Sequence, residues 1–466
     1  MDQDLSLYGF IGREILNGKI LYRDLWDIKP PGIYYLSALA LKIFGDSSHS
    51  LIIIGLLFSI LFMIILYLFC IEFFDFKTAF VISILFSLIS SDPNLLIDLP
   101  NTEVYINFFI LCGIFSFLLN LKTSKDIFII LSGICIGIAS IFKTVVFPHM
   151  FIIIILLITK NNFLNNKNNI KILIKYLLYL IMPTILIWIF CSLYFFTKNS
   201  FNDFFEANFL YTLKYSENFI LKIPYLFICL NFLKGTWPIF LFAFIFLLIN
   251  IKLNLSNFKK FQYLFFLTSL LSVMIPSKYY PHYYYLMFPS ILIICGDFLF
   301  NLDKLKFKFN KTVFILLSSL LILLLLYSQY NTYLKKPLDD INFSKHPYFI
   351  QNIYARELGL KLKEQLQKED LVFTFVPDTG INFYSGKSTP TKYFSYTTIF
   401  IGNSDEIYKK KRQIINDLIL KNPSVIIISP IYTLPKDVFL ELDNLITDKY
   451  ILWYEYATFK IYKIRN

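Results

Sequence analysis

The sequence predicts an α-helical protein that crosses a membrane about ten times and carries a small α/β domain at its C-terminal end. Of its 466 residues, 56% are hydrophobic and only 16% are charged, which is more apolar than a soluble domain of this length requires. Apolar runs of roughly membrane-spanning length recur from residue 49 to residue 330. Beyond them, charged helical stretches alternate with short β-branched runs.

Ten apolar segments are candidate spans, because about 20 apolar residues are needed to cross the hydrocarbon core. They lie at roughly 49–71, 78–92, 104–121, 127–142, 144–159, 174–197, 237–251, 261–276, 285–300 and 312–330. The chain contains 52 Phe and 32 Tyr but only 15 Gly. We therefore expect its helices to pack through bulky faces rather than through seams of small residues.

The loops between the spans alternate in charge. By the positive-inside rule, the lysine-rich loops that follow residues 121, 159, 251 and 300 are cytoplasmic. The loops at 93–103, 198–236 and 277–284 then face outward, and so do both ends of the chain. No apolar segment precedes Asp2 to carry the N-terminus across the membrane, which predicts that a first transmembrane helix is missing through a late start codon or a truncated gene.

The C-terminal part changes character. Charged stretches at 349–368, 404–421 and 435–447 alternate with the β-branched runs 371–376, 424–429 and 458–464. This alternation is typical of a small α/β domain. We predict three parts: a first exoplasmic loop at 1–48, a transmembrane domain at 49–330 and an exoplasmic α/β domain at 331–466.

Composition excludes several classes of protein. The formal net charge of +12 lies largely in short loops between apolar runs, as topology signals do, so we expect no nucleic-acid binding. All six cysteines lie in apolar segments and are read as small buried hydrophobic residues. No HExxH, paired CxxC or Rossmann glycine pattern is present, and residues 380–388 miss the P-loop spacing by one residue. The energy for any transfer reaction would therefore have to arrive in an activated donor.

Polar motifs occur in a fixed order along the chain. The first 45 residues combine an acidic residue before an aromatic helix with ILNG, YRDLWD and KPPG. LPNTE follows at 99–103, GICIGIASIFK at 133–143 and KYYPHYYYLMFPS at 278–290. This series resembles the dolichyl-phosphate-mannose protein mannosyltransferase superfamily, families 39 and 83, which includes the aminoarabinose transferase of lipid A modification. FYSGKSTPTKY in the C-terminal part is similar to a segment of bacterial members.

The resemblance implies a GT-C fold and an inverting glycosyltransferase on the outer face of the inner (plasma) membrane. Its donor would be a polyprenyl-phosphate sugar, and its acceptor a lipid, glycan or protein. No cofactor is certain, although a divalent cation remains possible. Such a reaction requires a general base near the acceptor hydroxyl and cations near the leaving phosphate.

Three carboxylates are candidates for catalysis. Asp4 matches the acidic residue of the family pattern and would activate or orient the acceptor, with Asp2 in reserve. The alternative is that both are solvated residues of a frayed terminus. Glu103 could be a second active-site acid or a metal-binding carboxylate, or a residue that stabilises the start of a helix through its dipole.

Several cations and aromatic residues are candidates for donor binding. Lys29 in KPPG and Lys143 at the outer edge of a span could bind phosphate, or could extend towards the headgroups. Lys278 and His282 could do the same, while Tyr283 and Tyr284 could contact the sugar or belong to an aromatic belt. Arg13, Arg23, Asp24 and Asp27 are expected to support the first loop, although any of them could reach the donor.

Two further hypotheses come from other classes. A transporter or flippase of lipid-linked saccharides would place charges at the bilayer midplane and contain internal repeats, whereas the charges here gather at one face. A scaffold, or an inactive truncated homologue, would retain the fold without the chemistry.

Overall fold

The computed structural model describes most of the chain. The described residues are 3–90, 92, 95, 100–160, 167–211, 233–251, 257–301, 310–333, 347–376, 379–395, 399–400, 403–429 and 436–465. Asp2, one of the predicted acids, lies outside them.

Helices dominate the described chain. In chain order they are α1 (Gln3–Leu16), α2 (Gly32–Phe44), α3 (Ser48–Phe73), α4 (Phe76–Ile89), α5 (Thr102–Thr123), α6 (Asp126–Ser140), α7 (Phe147–Lys160), α8 (Lys167–Thr197), α9 (Phe201–Phe205), α10 (Leu233–Ile251), α11 (Asn257–Met274), α12 (Phe288–Phe300), α13 (Asn310–Tyr333), α14 (Pro347–Gln365), α15 (Gly380–Ser385), α16 (Ser404–Lys421) and α17 (Lys436–Lys449). Short 3-10 helices cover Thr144–Val146 and Pro281–Met287, and a π-helical turn covers Glu206–Leu210.

The predicted fold class is confirmed, since each of the ten predicted spans overlaps a helix. Among the described residues, four helical segments are long and apolar enough to cross a membrane, namely Ser48–Phe73, Thr102–Thr123, Ile170–Thr197 and Pro281–Phe300. Most of the remaining predicted spans correspond to shorter apolar helices. Helix α11 is more polar, because Lys259, Lys260 and Gln262 occupy its first two turns.

A seam of small residues joins α6 to α8, contrary to the expectation that only bulky faces meet. A Cβ atom on Gly133 would lie 2.3 Å from the carbonyl oxygen of Leu180, so only glycine allows this approach. Gly137 similarly abuts Thr184, whose hydroxyl donates to the Gly133 carbonyl at 3.0 Å. The scarcity of glycine in the whole chain concealed this local pair of glycines four residues apart.

The C-terminal α/β prediction is also confirmed. Strands β1 (Val372–Phe375), β2 (Val425–Ile428), β3 (Tyr450–Tyr456) and β4 (Phe459–Ile464) form one sheet in the order β1-β2-β4-β3. β1 and β2 are parallel, whereas β4 is antiparallel to both β2 and β3. Buried residues of β1, β2 and β4 pack against Ala355, Leu358 and Leu362 of α14. Strand β3 was not predicted, because its residues do not form a β-branched run.

The chain divides into two compact units. One comprises Met1–Ile53, Ser192–Tyr215 and Ile341–Asn466, and the other comprises Ile54–Cys191 and Ser216–Asp340. Residues 3–48 and the α/β sheet thus belong to one unit, although more than 300 residues separate them in sequence.

Candidate functional site

The predicted acid Asp4 and the predicted cation Lys29 form an ion pair in the first unit. The Lys29 Nζ lies 3.0 Å from Asp4 Oδ1 and 4.6 Å from the centroid of the Tyr8 ring. Asp4 and Tyr8 are one turn apart on α1 and therefore share a face. The Asp4 side chain is 33% exposed and the Lys29 side chain 21%, so both groups remain accessible to a ligand.

The loop between α1 and α2, residues 17–31, fixes the position of Lys29, and we refer to it as the first loop. Pro30 and Pro31 follow Lys29 and restrict the backbone before α2. The Tyr22 hydroxyl donates to the Lys29 carbonyl at 2.8 Å, and Tyr22 itself has a positive φ of 68°. A bulky residue in the left-handed region is strained, and such strain is concentrated at functional sites.

Asp27 is a buried carboxylate of the same loop, only 3% exposed. Its Oδ2 accepts a hydrogen bond from the Tyr34 hydroxyl. Burial raises the pKa of Asp27 above its ordinary value, although the nearby Lys29 ammonium acts in the opposite direction. Asp27 was predicted to support the loop or to reach the donor, whereas Tyr8 and Tyr34 were not predicted as site residues.

The two predicted arginines form ion pairs. Arg13 binds the Asp46 carboxylate through its Nε and Nη2 atoms at 2.7–2.9 Å and also donates to the Phe383 carbonyl at 2.5 Å. Arg23 pairs with the adjacent Asp24 at 2.9 Å. Whether these arginines support the loop or reach a donor stays a prediction.

A second ion pair, between Glu103 and Lys143, lies in the second unit. The Lys143 Nζ is 2.7 Å from Glu103 Oε1, and Glu103 is only 1% exposed. The Thr102 hydroxyl donates to the other carboxylate oxygen at 2.9 Å. Glu103 stands in the first turn of α5, which begins after the N-cap residue Asn101. The helix-dipole explanation and the active-site explanation for Glu103 are therefore both compatible with its position.

Aromatic residues of the 3-10 helix Pro281–Met287 surround this second pair. The Lys143 Nζ lies 3.5 Å from the centroid of the Tyr283 ring, and the His282 ring packs edge-on against Tyr283 at 4.7 Å. His282 also interacts electrostatically with Glu103. The Asn107 side chain donates to the Tyr285 carbonyl at 2.7 Å and so attaches this helix to α5. Four predicted site residues thus form one cluster.

The other two candidates of this segment have different surroundings. Tyr284 is buried, at 2% exposure, whereas Lys278 is exposed. Lys278 lies between Ser277 and Tyr279, which both have positive φ, at 56° and 50°. The strained turn holds the Lys278 side chain at the surface, next to the aromatic helix.

Within the described part of the chain, no group of three or more His, Cys, Asp or Glu side chains is placed to hold a metal ion. Asp4 and Glu103, the described carboxylates proposed for catalysis, are instead each paired with a lysine ammonium.

Comparison with known proteins agrees with this architecture. Residues 28–188 match the family model described as dolichyl-phosphate-mannose-protein mannosyltransferase, a range that contains Lys29, Glu103 and Lys143. No curated protein sequence matches the chain.

Two solved structures have a similar fold. ArnT from Cupriavidus metallidurans, crystallised with undecaprenyl phosphate, superposes with a TM-score of 0.63 at 13% identity, over 98% of this chain and 93% of that chain. AglB, an archaeal oligosaccharyltransferase from Archaeoglobus fulgidus in complex with an inhibitory peptide and a dolichol-phosphate, superposes with a TM-score of 0.51 at 13% identity, over 92% of this chain and 65% of that chain. The chain thus shares its fold with ArnT and AglB, and its residues 28–188 are similar to the mannosyltransferase family.

Proposed function

We propose that this protein is a glycosyltransferase that moves a hexose or pentose, with inversion, from a polyprenyl-phosphate donor to a lipid, glycan or protein acceptor. The observation that carries the proposal is the pair of lysine–carboxylate contacts, Lys29 with Asp4 and Lys143 with Glu103. Each contact provides a cation for a phosphate, and the Asp4 carboxylate beside Lys29 is available to a hydroxyl group.

The cations fit the leaving group of such a reaction. Negative charge builds on the phosphate as the bond to the sugar breaks, and fixed ammonium groups stabilise that charge. Lys143 is 12% exposed and lies against Tyr283, so its charge is only partly screened by water. ArnT was crystallised with undecaprenyl phosphate and AglB with a dolichol-phosphate, which supports the same class of lipid here.

The acids fit the acceptor. We assign Asp4 as the group that activates or orients the acceptor hydroxyl, a role typically worth about 10²- to 10⁴-fold in rate. Its partial exposure leaves room for an acceptor, whereas Glu103 is enclosed by Lys143 and Thr102. We assign to Glu103 the role of holding the Lys143 side chain in place.

The aromatic side chains fit the sugar. Tyr8 lies beside Lys29, and Tyr283 lies beside Lys143 and His282. The flat faces of such rings suit pyranose rings. We further propose that the reaction takes place on the exoplasmic side of the inner membrane, as the charge pattern of the loops indicates.

The proposal is tested with purified full-length protein in detergent. Undecaprenyl phosphate binding is measured by native mass spectrometry, and transfer of labelled sugar is measured with lipid extracts as donors. We expect the wild-type protein to bind the lipid, and Asp4→Asn to retain binding while losing transfer. Lys122→Gln is the control, because Lys122 is 57% exposed and pairs with Glu72.

Each result distinguishes the alternatives. Transfer that is unchanged in Asp4→Asn contradicts the assigned role of Asp4. A wild-type protein that binds undecaprenyl phosphate and moves it between bilayer leaflets without any transfer is a flippase. A protein that binds no polyprenyl phosphate contradicts the proposed function as a whole.

A further inference from the structure

A buried lysine of the α/β part is enclosed by three aromatic rings. Lys410 on α16 is 3% exposed. Its Nζ lies 4.3 Å from the ring centroid of Tyr211, 4.6 Å from that of Trp26 and 5.7 Å from that of Tyr393. We call these three residues and Lys410 the aromatic cage. An ammonium removed from water is costly, and aromatic faces are among the few groups that offset this cost.

The aromatic cage joins segments that are far apart in the sequence. Trp26 belongs to the first loop, Tyr211 follows the π-helical turn after α9, and Tyr393 and Lys410 belong to the α/β part. The Trp26 ring packs edge-on against Tyr211 at 4.7 Å and against Tyr393 at 5.7 Å. Trp26 and Tyr211 are fully buried. Because Lys410 of the same chain fills the aromatic cage, the cage stabilises the protein's own structure and is not a ligand site.

Contacts between lysines and acids join the same segments as the aromatic cage. The Lys392 Nζ binds Asp203 at 2.7 Å, and the Lys410 ammonium interacts electrostatically with Glu206. Burial raises the pKa of Glu206, and the Lys410 charge opposes that rise. Two lysines of the α/β part thus face two acids of the segment after α8.

Trp26 connects the aromatic cage to the candidate site through the backbone of the first loop. Its backbone N–H donates to the Lys392 carbonyl at 3.0 Å. The next residue is Asp27, and Lys29 follows two residues later. With the tryptophan backbone and ring both fixed, little freedom remains for the residues between Trp26 and Pro30.

We infer that Lys410 is a positioning residue, whose ammonium holds Trp26 and thereby fixes the first loop in the conformation that presents Lys29 to Asp4. The contact rests on both the charge and the length of the lysine side chain. Lys410 reaches the first loop through Trp26.

The test is hydrogen–deuterium exchange of the full-length protein in detergent, compared between wild type, Lys410→Met, Lys410→Arg and Lys409→Met. Methionine has a similar length without the charge, and arginine retains the charge and stacks on aromatic rings. Lys409 precedes Lys410 on the same helix but is exposed, so Lys409→Met is the matched control. The reporter peptides cover residues 19–29, with strands β1 and β2 as the internal reference.

We expect Lys410→Met to accelerate exchange in residues 19–29 about tenfold, while β1 and β2 exchange at the wild-type rate. Lys410→Arg is expected to restore most of the protection, and Lys409→Met to change nothing. Unchanged exchange in the loop, or equal acceleration in the loop and the sheet, overturns the inference. An arginine variant that exchanges like the methionine variant overturns the role of the charge.

A second measurement links the inference to donor binding and rests on the proposed function. Undecaprenyl phosphate is titrated into the same four proteins, and Lys410→Met is expected to bind it about fivefold more weakly than Lys409→Met. A wild-type protein that binds none of the lipid contradicts the proposed function, and the exchange result then decides the inference alone. If the four proteins bind the lipid equally although exchange in the loop is accelerated, the order of the loop does not affect donor binding. That result overturns the proposed connection between Lys410 and donor binding.

Discussion

The Lys143 ammonium contacts two different partners at once, the Glu103 carboxylate at 2.7 Å and the Tyr283 ring at 3.5 Å from its centroid. Glu103 is buried, and its charge is stabilised by this lysine, by the Thr102 hydroxyl and by the nearby His282. The contact therefore has a structural role as well as a proposed role in donor binding, and the two roles are separable by mutation.

Removing one partner of this pair is expected to be more harmful than removing both. Lys143→Met leaves a buried carboxylate unpaired, which typically costs about 3–5 kcal/mol. We expect a clear fall in the melting temperature for Lys143→Met and recovery of most of it in Lys143→Met/Glu103→Gln. Differential scanning fluorimetry in detergent measures both. A double variant that melts as low as the single variant contradicts the interpretation.

The same double variant separates stability from donor binding. If Lys143 binds the donor phosphate, Lys143→Met/Glu103→Gln stays folded but binds undecaprenyl phosphate about tenfold more weakly than wild type, a loss of about 1.4 kcal/mol. Native mass spectrometry checks this, with Lys122→Gln as the control. Wild-type lipid affinity in the double variant would remove Lys143 from the donor site.

Lys29 is expected to affect binding more than stability. Its ion pair with Asp4 is partly exposed on both sides, and such pairs contribute about 0–1 kcal/mol. Lys29→Gln should therefore shift the melting temperature little while weakening lipid phosphate binding about tenfold. Titration with undecaprenyl phosphate, beside a melting curve of the same sample, tests this. A large loss of stability with unchanged lipid binding is the contrary result.

Asp27 gives a prediction about pH. Because its pKa is raised in the folded protein, the folded state holds the proton more tightly than the unfolded state, whose Asp pKa is about 3.9. Its contribution to stability is therefore fully present below about pH 3.9 and decreases as the pH rises through the raised value. We expect Asp27→Asn, which can still accept from Tyr34, to reduce the fall in melting temperature over this range. Parallel pH dependences in the two proteins would contradict this account.

The close packing at Gly133 should not tolerate a side chain at this position. Gly133→Ala places a Cβ against the Leu180 carbonyl and should cost about 1–3 kcal/mol through overpacking. Gly113→Ala on the neighbouring helix is the control, because its Cβ would meet no atom closer than 3.3 Å. Melting temperatures of the two variants, which should differ by several degrees, provide the measurement. Equal melting temperatures would show that the two helices separate at little cost.

Most of the correctly predicted parts of the fold were predicted from local patterns in the sequence. Each predicted span overlaps a helix because runs of apolar residues carry that signal without reference to distant parts of the chain. The contacts of Lys29 with Asp4 and of Lys143 with Glu103 were within reach of motif reasoning, since these residues belong to recognisable polar segments. Whether the two pairs meet around one substrate stays a prediction.

Long-range contacts were beyond such reasoning. The aromatic cage combines residues 26, 211, 393 and 410, and no local pattern connects positions so far apart. Strand β3 was missed because its side chains do not form the β-branched run that marked the other strands. The seam at Gly133 was missed because glycine was judged by its overall number instead of by its spacing.

Under the proposed function, the ion pair of Lys29 with Asp4 also determines when Asp4 becomes available. A donor phosphate that takes over hydrogen bonds from Lys29 competes with Asp4 for the same ammonium. If the proposed function holds, donor binding therefore frees Asp4 from its lysine and leaves its carboxylate available to the acceptor hydroxyl.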